Sequence, residues 1–289
     1  MLRNPILVGL LRSPDDPDGK PLSLEGDNLS GAGWAIPIVN GIPDFVTYAP
    51  PVERSIKLRI PIDGKPEACV LLPPPVDEMP PAWFGEERHK YGILQKHSKG
   101  VLLDAGCGQG NRATFGEIGY DYVGLDISFN SGQRCKGAVD VDVVSDCHRL
   151  PFPSKSIEVV NSGAVLEHLY WPILALHEIY RVLVPGGLLI GSCSFLEGEH
   201  FDSQYHHSWL GLYRLLRCQG LEVLHIYPGL SLWESHSNSI YLSLPGHKLM
   251  GKLHRIIYLG LVKLKSQEPV KMRLLRHAAI LHFIAVKPS

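Results

Sequence analysis

The stretch Val101-Leu102-Leu103-Asp104-Ala105-Gly106-Cys107-Gly108-Gln109-Gly110 decides how the rest of the chain is read. A short apolar run, of the kind that forms a buried strand, ends in an acid and enters a turn with glycine at every second position. Glycine lets a backbone turn sharply and approach a ligand where any side chain would clash. A helix beginning near Asn111 would aim its free N–H groups at that ligand. Nucleotide-binding folds of several kinds use such a turn. Here the spacing is Gly-x-Gly-x-Gly, with the acid two residues ahead. The dinucleotide fingerprint Gly-x-Gly-x-x-Gly needs a glycine at 111, where Asn111 stands.

Outward from this turn, further apolar runs alternate with helical stretches: Tyr122–Asp126, Ile157–Asn161, Leu188–Ser192, Leu221–Ile226 and Ala279–Val286. Continuous apolar runs of about five residues, separated by helices, predict a mostly parallel sheet covered on both faces. That is a doubly wound α/β fold, whose ligand lies at the carboxyl ends of the strands. Asp126 ends the second run, where a carboxylate can accept both ribose hydroxyls of an adenosine, whichever cofactor carries it.

Composition divides the chain into three zones. Residues 1–50 are rich in Gly, Pro and Asp and read as a small turn-rich β module. Residues 51–82 hold the clusters Pro73-Pro74-Pro75 and Pro80-Pro81 and read as a linker or surface arm. The α/β pattern fills 83–289. With 45% apolar and 20% charged residues, the chain is a globular protein rather than a disordered one. Its formal net charge of -1 argues against a protein that grips nucleic acid with its whole surface. The charge is uneven, however: residues 240–289 carry nine Lys/Arg against Glu268, a balance of +8 that leaves -9 on the remainder. The six cysteines include no Cys-x-x-Cys pair, so buried free thiols in a reducing compartment are expected, with neither a zinc site nor a disulfide framework. The run Ile6–Leu11 is short and is followed by Pro14-Asp15-Asp16, which does not read as a signal peptide. A cytoplasmic protein is the expectation.

Four further segments follow in order: Ser145-Asp146-Cys147, then His148-Arg149-Leu150-Pro151-Phe152, then Val165-Leu166-Glu167-His168-Leu169, and finally Arg181-Val182-Leu183-Val184-Pro185-Gly186-Gly187. Together with the glycine turn, over roughly residues 85–230 and the last strand near 279–286, they resemble the class I S-adenosylmethionine-dependent methyltransferases. The resemblance implies a seven-stranded sheet, mostly parallel with an antiparallel last strand, and S-adenosylmethionine as cofactor. It implies that Asp104 and the loop of Gly106, Cys107, Gly108 and Gly110 hold the methionine part. Asp126 would take the ribose hydroxyls, with Ile127 on the adenine. Asp146 would accept from the adenine amino group beside the Cys147 backbone, and Ser162 would let backbone approach the sulfonium. Pro185-Gly186-Gly187 is expected to turn a helix into the fifth strand.

His168 is the candidate base for an acceptor that must lose a proton; the alternative is a histidine that caps or packs on its own helix. Glu197, Glu199, His200, Asp202, His206 and His207 form a second polar cluster after the fifth strand. These are metal-ligand types without a recurring ligand spacing, so no metal is expected. The cluster is read instead as lining an acceptor pocket or opening a helix with Trp209, Leu212, Leu215 and Leu216 on its core face. In a basic insertion at about 245–276, apolar residues at 249, 253, 256, 257, 260 and 264 follow helical spacing. The commoner arrangement packs such a stripe on its own domain; the other lays a basic amphipathic helix on an anionic membrane. Residues 1–50 weakly resemble a degenerate zinc-ribbon-like module, through Gly41-Ile42-Pro43-Asp44-Phe45, although no cysteine precedes Cys69.

The acceptor implied is a small molecule or a sugar- or lipid-linked intermediate. RNA or protein is the runner-up, supported only by the basic tail, and nucleic acid is not expected. A nicotinamide oxidoreductase fails on the glycine spacing. A non-catalytic subunit would often have lost the glycines or the ribose acid, and both are present. The acceptor atom and the oligomeric state are not encoded legibly.

Overall fold

The computed structural model describes residues 2–46, 88–128, 140–200, 202–229 and 274–289, together with positions 249, 253, 256, 257 and 260. The proline-rich stretch 51–82, most of the 245–276 insertion, Cys69 and Cys135 lie outside the described residues.

Seven strands form the central sheet: β5 (Val101–Ala105), β6 (Asp121–Asp126), β7 (Val143–Val144), β8 (Ile157–Gly163), β9 (Leu183–Ser194), β10 (Glu222–Pro228) and β11 (Ile280–Val286). Their order is β10-β11-β9-β8-β5-β6-β7. β5 to β9 pair in parallel, whereas β11 runs antiparallel between β9 and β10. The doubly wound sheet and its antiparallel last strand are as expected. The reason is visible in the alternation of side chains. Leu102, Val159, Leu188 and Ile190 point to one face, among Leu94 of α1 (Arg88–Lys96) and Phe115 of α2 (Arg112–Ile118). Leu103, Val160 and Leu189 point to the other, among Leu176 and Ile179 of α3 (Pro172–Val182) and Leu212 and Leu216 of α4 (Trp209–Cys218). A strand buried on both faces needs an unbroken apolar run, and burying each Leu, Ile or Val contributes about 1.5–3 kcal/mol.

The N-terminal stretch forms an antiparallel meander of β1 (Ser23–Glu25), β2 (Asn28–Gly31), β3 (Trp34–Val39) and β4 (Ile42–Pro43). Its apolar side chains, among them Leu7, Leu11, Leu29, Trp34, Ile36 and Phe45, share one core with Leu150 and Phe152. Beyond β4, Asp44 bridges Val144 in parallel and Phe45 N donates to the Val144 carbonyl at 2.8 Å. The meander therefore covers the edge that the two-residue β7 would otherwise leave open.

One local expectation is corrected. Pro185-Gly186-Gly187 does not precede the fifth strand but lies within β9 as a bulge. Ile157 pairs with Leu183 and Val159 with Leu188, so five steps of β9 oppose two of β8. Gly186 takes φ +79°, and its N–H donates to the Lys287 carbonyl at 2.8 Å. The bulge is thereby tied to the end of β11 rather than to a helix terminus.

At the described positions 249, 253, 256, 257 and 260 the basic insertion is helical. Leu249, Leu253, Ile256 and Ile257 are exposed, at 71%, 47%, 68% and 50%. At these described positions the stripe is not buried against its own domain. No helix among the described residues is long and apolar enough to cross a membrane.

Candidate active site

The parallel strands β5, β6 and β8 end together in Asp104-Ala105, Asp126 and Asn161–Gly163, and the glycine turn lies across their carboxyl ends. Asp126 is buried, and both its oxygens already accept backbone N–H groups. Gly108 donates to Oδ2 at 2.8 Å and Ile127 to Oδ1 at 2.7 Å. These bonds set the carboxylate against the loop and leave its remaining lone pairs for a ligand. Ile127, next to it, is 53% exposed.

Asp104 sits differently. It is 2% exposed, and its oxygens accept from the Tyr122 hydroxyl at 2.8 Å and the Asn161 amide at 2.6 Å. Both oxygens are thus already engaged with the neighbours that shape the site. Burial, with Asp104 alongside, pushes the Tyr122 phenol far above its ordinary range, so it stays a proton donor. The residue missed in the sequence is Asn161. Asp104 can only accept, so the Asn161 amide nitrogen must face it, and the amide oxygen is left buried and without a hydrogen-bond partner at the carboxyl end of β8. A polar residue inside the run Val159-Val160-Asn161-Ser162 was the available signal.

The three glycines divide their work. All have positive φ, at +78°, +54° and +82° for Gly106, Gly108 and Gly110. A Cβ on Gly106 would stand 2.4 Å from Val165 Cγ2, and one on Gly110 2.2 Å from Asp140 Cβ. Those two glycines serve protein packing. A Cβ on Gly108 would meet nothing within 4 Å among the described residues, so of the three this glycine borders open space. At the helix N-terminus two amides are already taken up by the protein. Arg112 N donates to Asp140 Oδ2 at 3.3 Å and Asn111 N to the Tyr122 hydroxyl at 3.4 Å, so these two amides serve the protein. Arg112 also pairs with Asp142 at 2.6 Å and lies over the Tyr122 ring, bracing α2 against β6.

Cys107 and Cys147 are buried, and burial, with Asp104 beside the first and Asp146 beside the second, pushes both thiols well above the usual range. Asp146 is exposed and holds His148, with Oδ1 2.9 Å from the backbone N and 2.5 Å from Nδ1. Ser162 is 1% exposed, against Gly191 of β9, where a Cβ would stand 2.0 Å from the Ser162 carbonyl oxygen. Close approach there is between strands.

His168 closes a 3-10 turn (Leu166–His168) after β8. Its ring stacks edge-on against His200, and Nδ1 lies 3.4 Å from Asp202 Oδ1 without a hydrogen bond. Of the second polar cluster, Glu197, His200 and Asp202 gather here, while Glu199 and His206 are exposed. Burial, followed by the nearby His206, lowers the pKa of His207. Ser208 opens α4, accepting from Gly211 N at 3.1 Å. Leu212 and Leu216 are buried, with Trp209 and Leu215 partly so, as the predicted core face requires.

A cofactor must fit three features of this floor: an orphaned amide oxygen, a cradle open at Gly108, and a ribose-type carboxylate at Asp126. S-adenosylmethionine fits. Its ammonium is the donor that Asn161 Oδ1 lacks, its methionyl chain can lie over Gly108, and its ribose hydroxyls can bond to Asp126.

Residues 103–191 match the family described as "Methyltransferase domain". An uncharacterized chloroplastic methyltransferase of Arabidopsis thaliana is 36% identical over 107 residues, covering 32% of this chain and 30% of that protein. The malonyl-[acyl-carrier protein] O-methyltransferase of Yersinia pestis is 30% identical over 101 residues, covering 34% and 38%. The chain thus spans about a third of the length of these curated relatives. Among solved structures, an S-adenosylmethionine dependent methyltransferase from Mesorhizobium loti matches at 16% identity with a TM-score of 0.43, covering 69% of this chain and 97% of that one.

Proposed function

We propose that this chain is an S-adenosylmethionine-dependent methyltransferase acting on a small molecule or a sugar- or lipid-linked acceptor. One observation carries it: the unpartnered Asn161 oxygen, the open Gly108 cradle and the Asp126 carboxylate lie along the carboxyl ends of adjacent strands. A nicotinamide cofactor would use the ribose acid but has no ammonium for Asn161. The match over residues 103–191 supports the same class.

When bound, S-adenosylmethionine supplies a methyl group already activated on a sulfonium. The protein then has to align it with the acceptor and exclude water. Asp104 and Tyr122 hold Asn161 and the loop in register, Asp126 anchors the adenosine end, and Glu167, His168 and His200 stand on the acceptor side.

A lipid-linked acceptor has specific support in the exposed stripe Leu249, Leu253, Ile256 and Ile257. The +8 balance of residues 240–289 complements an anionic bilayer, where such a helix would lie in the interface plane.

The decisive experiment is calorimetric titration with S-adenosylhomocysteine, alongside NADH under the same conditions. Binding of the first alone is expected. NADH alone would overturn the proposal, and binding of neither would point to a non-catalytic subunit.

A further inference from the structure

Glu167 is fully buried, yet its charge is poorly met. Oε1 accepts from the Ser194 hydroxyl at 2.8 Å, while Oε2 has no hydrogen-bond partner. Among the described residues, the only basic group within 4.0 Å of the carboxylate is His200 Nε2, at 4.0 Å. A buried carboxylate in this state costs several kcal/mol unless a cation or a proton joins it.

The surroundings sharpen the deficit. The Ser194 hydroxyl also stands within hydrogen-bond reach of Glu197 Oε1, so two carboxylates converge on one hydroxyl. A hydroxyl carries a single hydrogen and can satisfy only one of them. His168 Nδ1 is likewise buried without a hydrogen bond. Glu167, His168 and His200 each offer a ligand atom, and these atoms lie within 4.8 Å of one another. Ligands of a tetrahedral cation with bonds of about 2.1 Å stand about 3.4 Å apart, so closing the site requires movements of about 1 Å.

The backbone prepares this cluster. Glu167 and His168 share the 3-10 turn that follows β8, and Ser194 ends β9 beside it. The loop bearing His200 and Asp202 is fastened over them. Gln204 N and Tyr205 N donate to the Glu167 carbonyl at 2.6 and 3.1 Å, and His207 N to the Ser194 carbonyl at 2.8 Å.

We infer that Glu167, His168 and His200 bind a divalent first-row transition cation at the acceptor side of the pocket. Two imidazoles and one carboxylate are the donor set that zinc, iron and manganese accept while keeping positions open. Glu197 and Asp202 lie at the rim, where they can orient the histidines or complete the shell. Resting on the methyltransferase proposal, an open position takes an oxygen of the acceptor. The cation would lower the pKa of that oxygen, whose proton would pass to solvent water, in place of the base role considered for His168.

The test is direct uptake. Full-length protein, stripped with chelator, is titrated with Zn²⁺ and separately with Mn²⁺, and bound metal is counted after gel filtration. One equivalent of at least one cation is expected. His200→Ala should weaken uptake at least 10-fold, the scale of losing one ligand, while His206→Ala should bind as the parent does. Glu167→Gln is the second variant, and if it fails to fold, the partly exposed His200 carries the comparison. S-adenosylhomocysteine binding is measured on every sample. Its retention where metal uptake is lost separates the cation site from the cofactor site. No stoichiometric uptake by the parent, or equal uptake by His200→Ala, would overturn the inference.

Discussion

Asn161 donates its amide hydrogen to Asp104 across 2.6 Å, and that bond decides where the amide oxygen points. Because a buried carboxylate can only accept, the amide cannot rotate without setting oxygen against oxygen. The oxygen is held away from Asp104, buried and without a partner of its own.

Asn161→Ala should therefore weaken S-adenosylhomocysteine binding. A hydrogen bond to a charged group contributes about 1.5–3 kcal/mol, or roughly 10- to 150-fold in Kd. Thermal stability should fall too, since Asp104 loses a partner. Calorimetry reads the first effect and a melting curve the second; unchanged affinity would remove Asn161 from the site.

The glycines should separate folding from binding. Gly106→Ala meets Val165 at 2.4 Å and imposes a left-handed alanine costing about 1–2 kcal/mol, so the melting temperature should drop sharply. Gly108→Ala pays the backbone cost but meets no protein atom within 4 Å. Its melting temperature should fall less, while cofactor binding is lost. Equal behaviour of the two variants in melting and calorimetry would contradict this division.

Asp126→Ala removes the ribose acid and also releases the Gly108 N–H that it accepts at 2.8 Å. A loss of cofactor affinity of 10-fold or more is expected, at roughly 1.5–3 kcal/mol for charge-assisted bonds. A variant that binds as tightly as its parent would sink the assignment.

Vesicle flotation addresses the exposed helical stripe. The protein should be retained by vesicles containing anionic lipid at low salt and released as salt screens the charge. Ile256→Asp with Ile257→Asp should abolish retention without altering S-adenosylhomocysteine binding. Equal behaviour on neutral and anionic vesicles would exclude the interfacial helix.

Alkaline stability should report on Tyr120. Burial, with Glu158 nearby, pushes its phenol up to about 12, from an ordinary value near 10. The folded state thus favours the neutral ring. Its contribution is complete below pH 10 and is lost as pH rises from 10 to 12. Denaturant melts across that range should show a shallower loss for Tyr120→Phe, which keeps the packing but gives up the bond to the Leu94 carbonyl at 3.0 Å.

The sheet was legible because strands buried on both faces need unbroken apolar runs, and each run from Val101 to Val286 was long enough to show. β7 was hard to see, since Val143-Val144 is too short to carry a period. The bulge at Pro185-Gly186-Gly187 was hidden for another reason: a Pro-Gly-Gly triplet suits a turn or a bulge equally, and pairing with β8 and β11 selects between them.

By itself the sequence determined the glycine turn, the ribose acid Asp126 and the doubly wound order, because backbone freedom and burial act over a few neighbouring residues. Only the tertiary structure decided that, of the turn's three glycines, Gly108 is the one no described residue crowds, that Asp104 accepts from Asn161 and Tyr122, and that Glu167, His168 and His200 meet across 33 positions of chain. Those relationships depend on which strand ends lie side by side and on how a loop returns over them. Spacing along the chain carries no trace of either, because hydrogen bonds and ligand sets are made by distance in space.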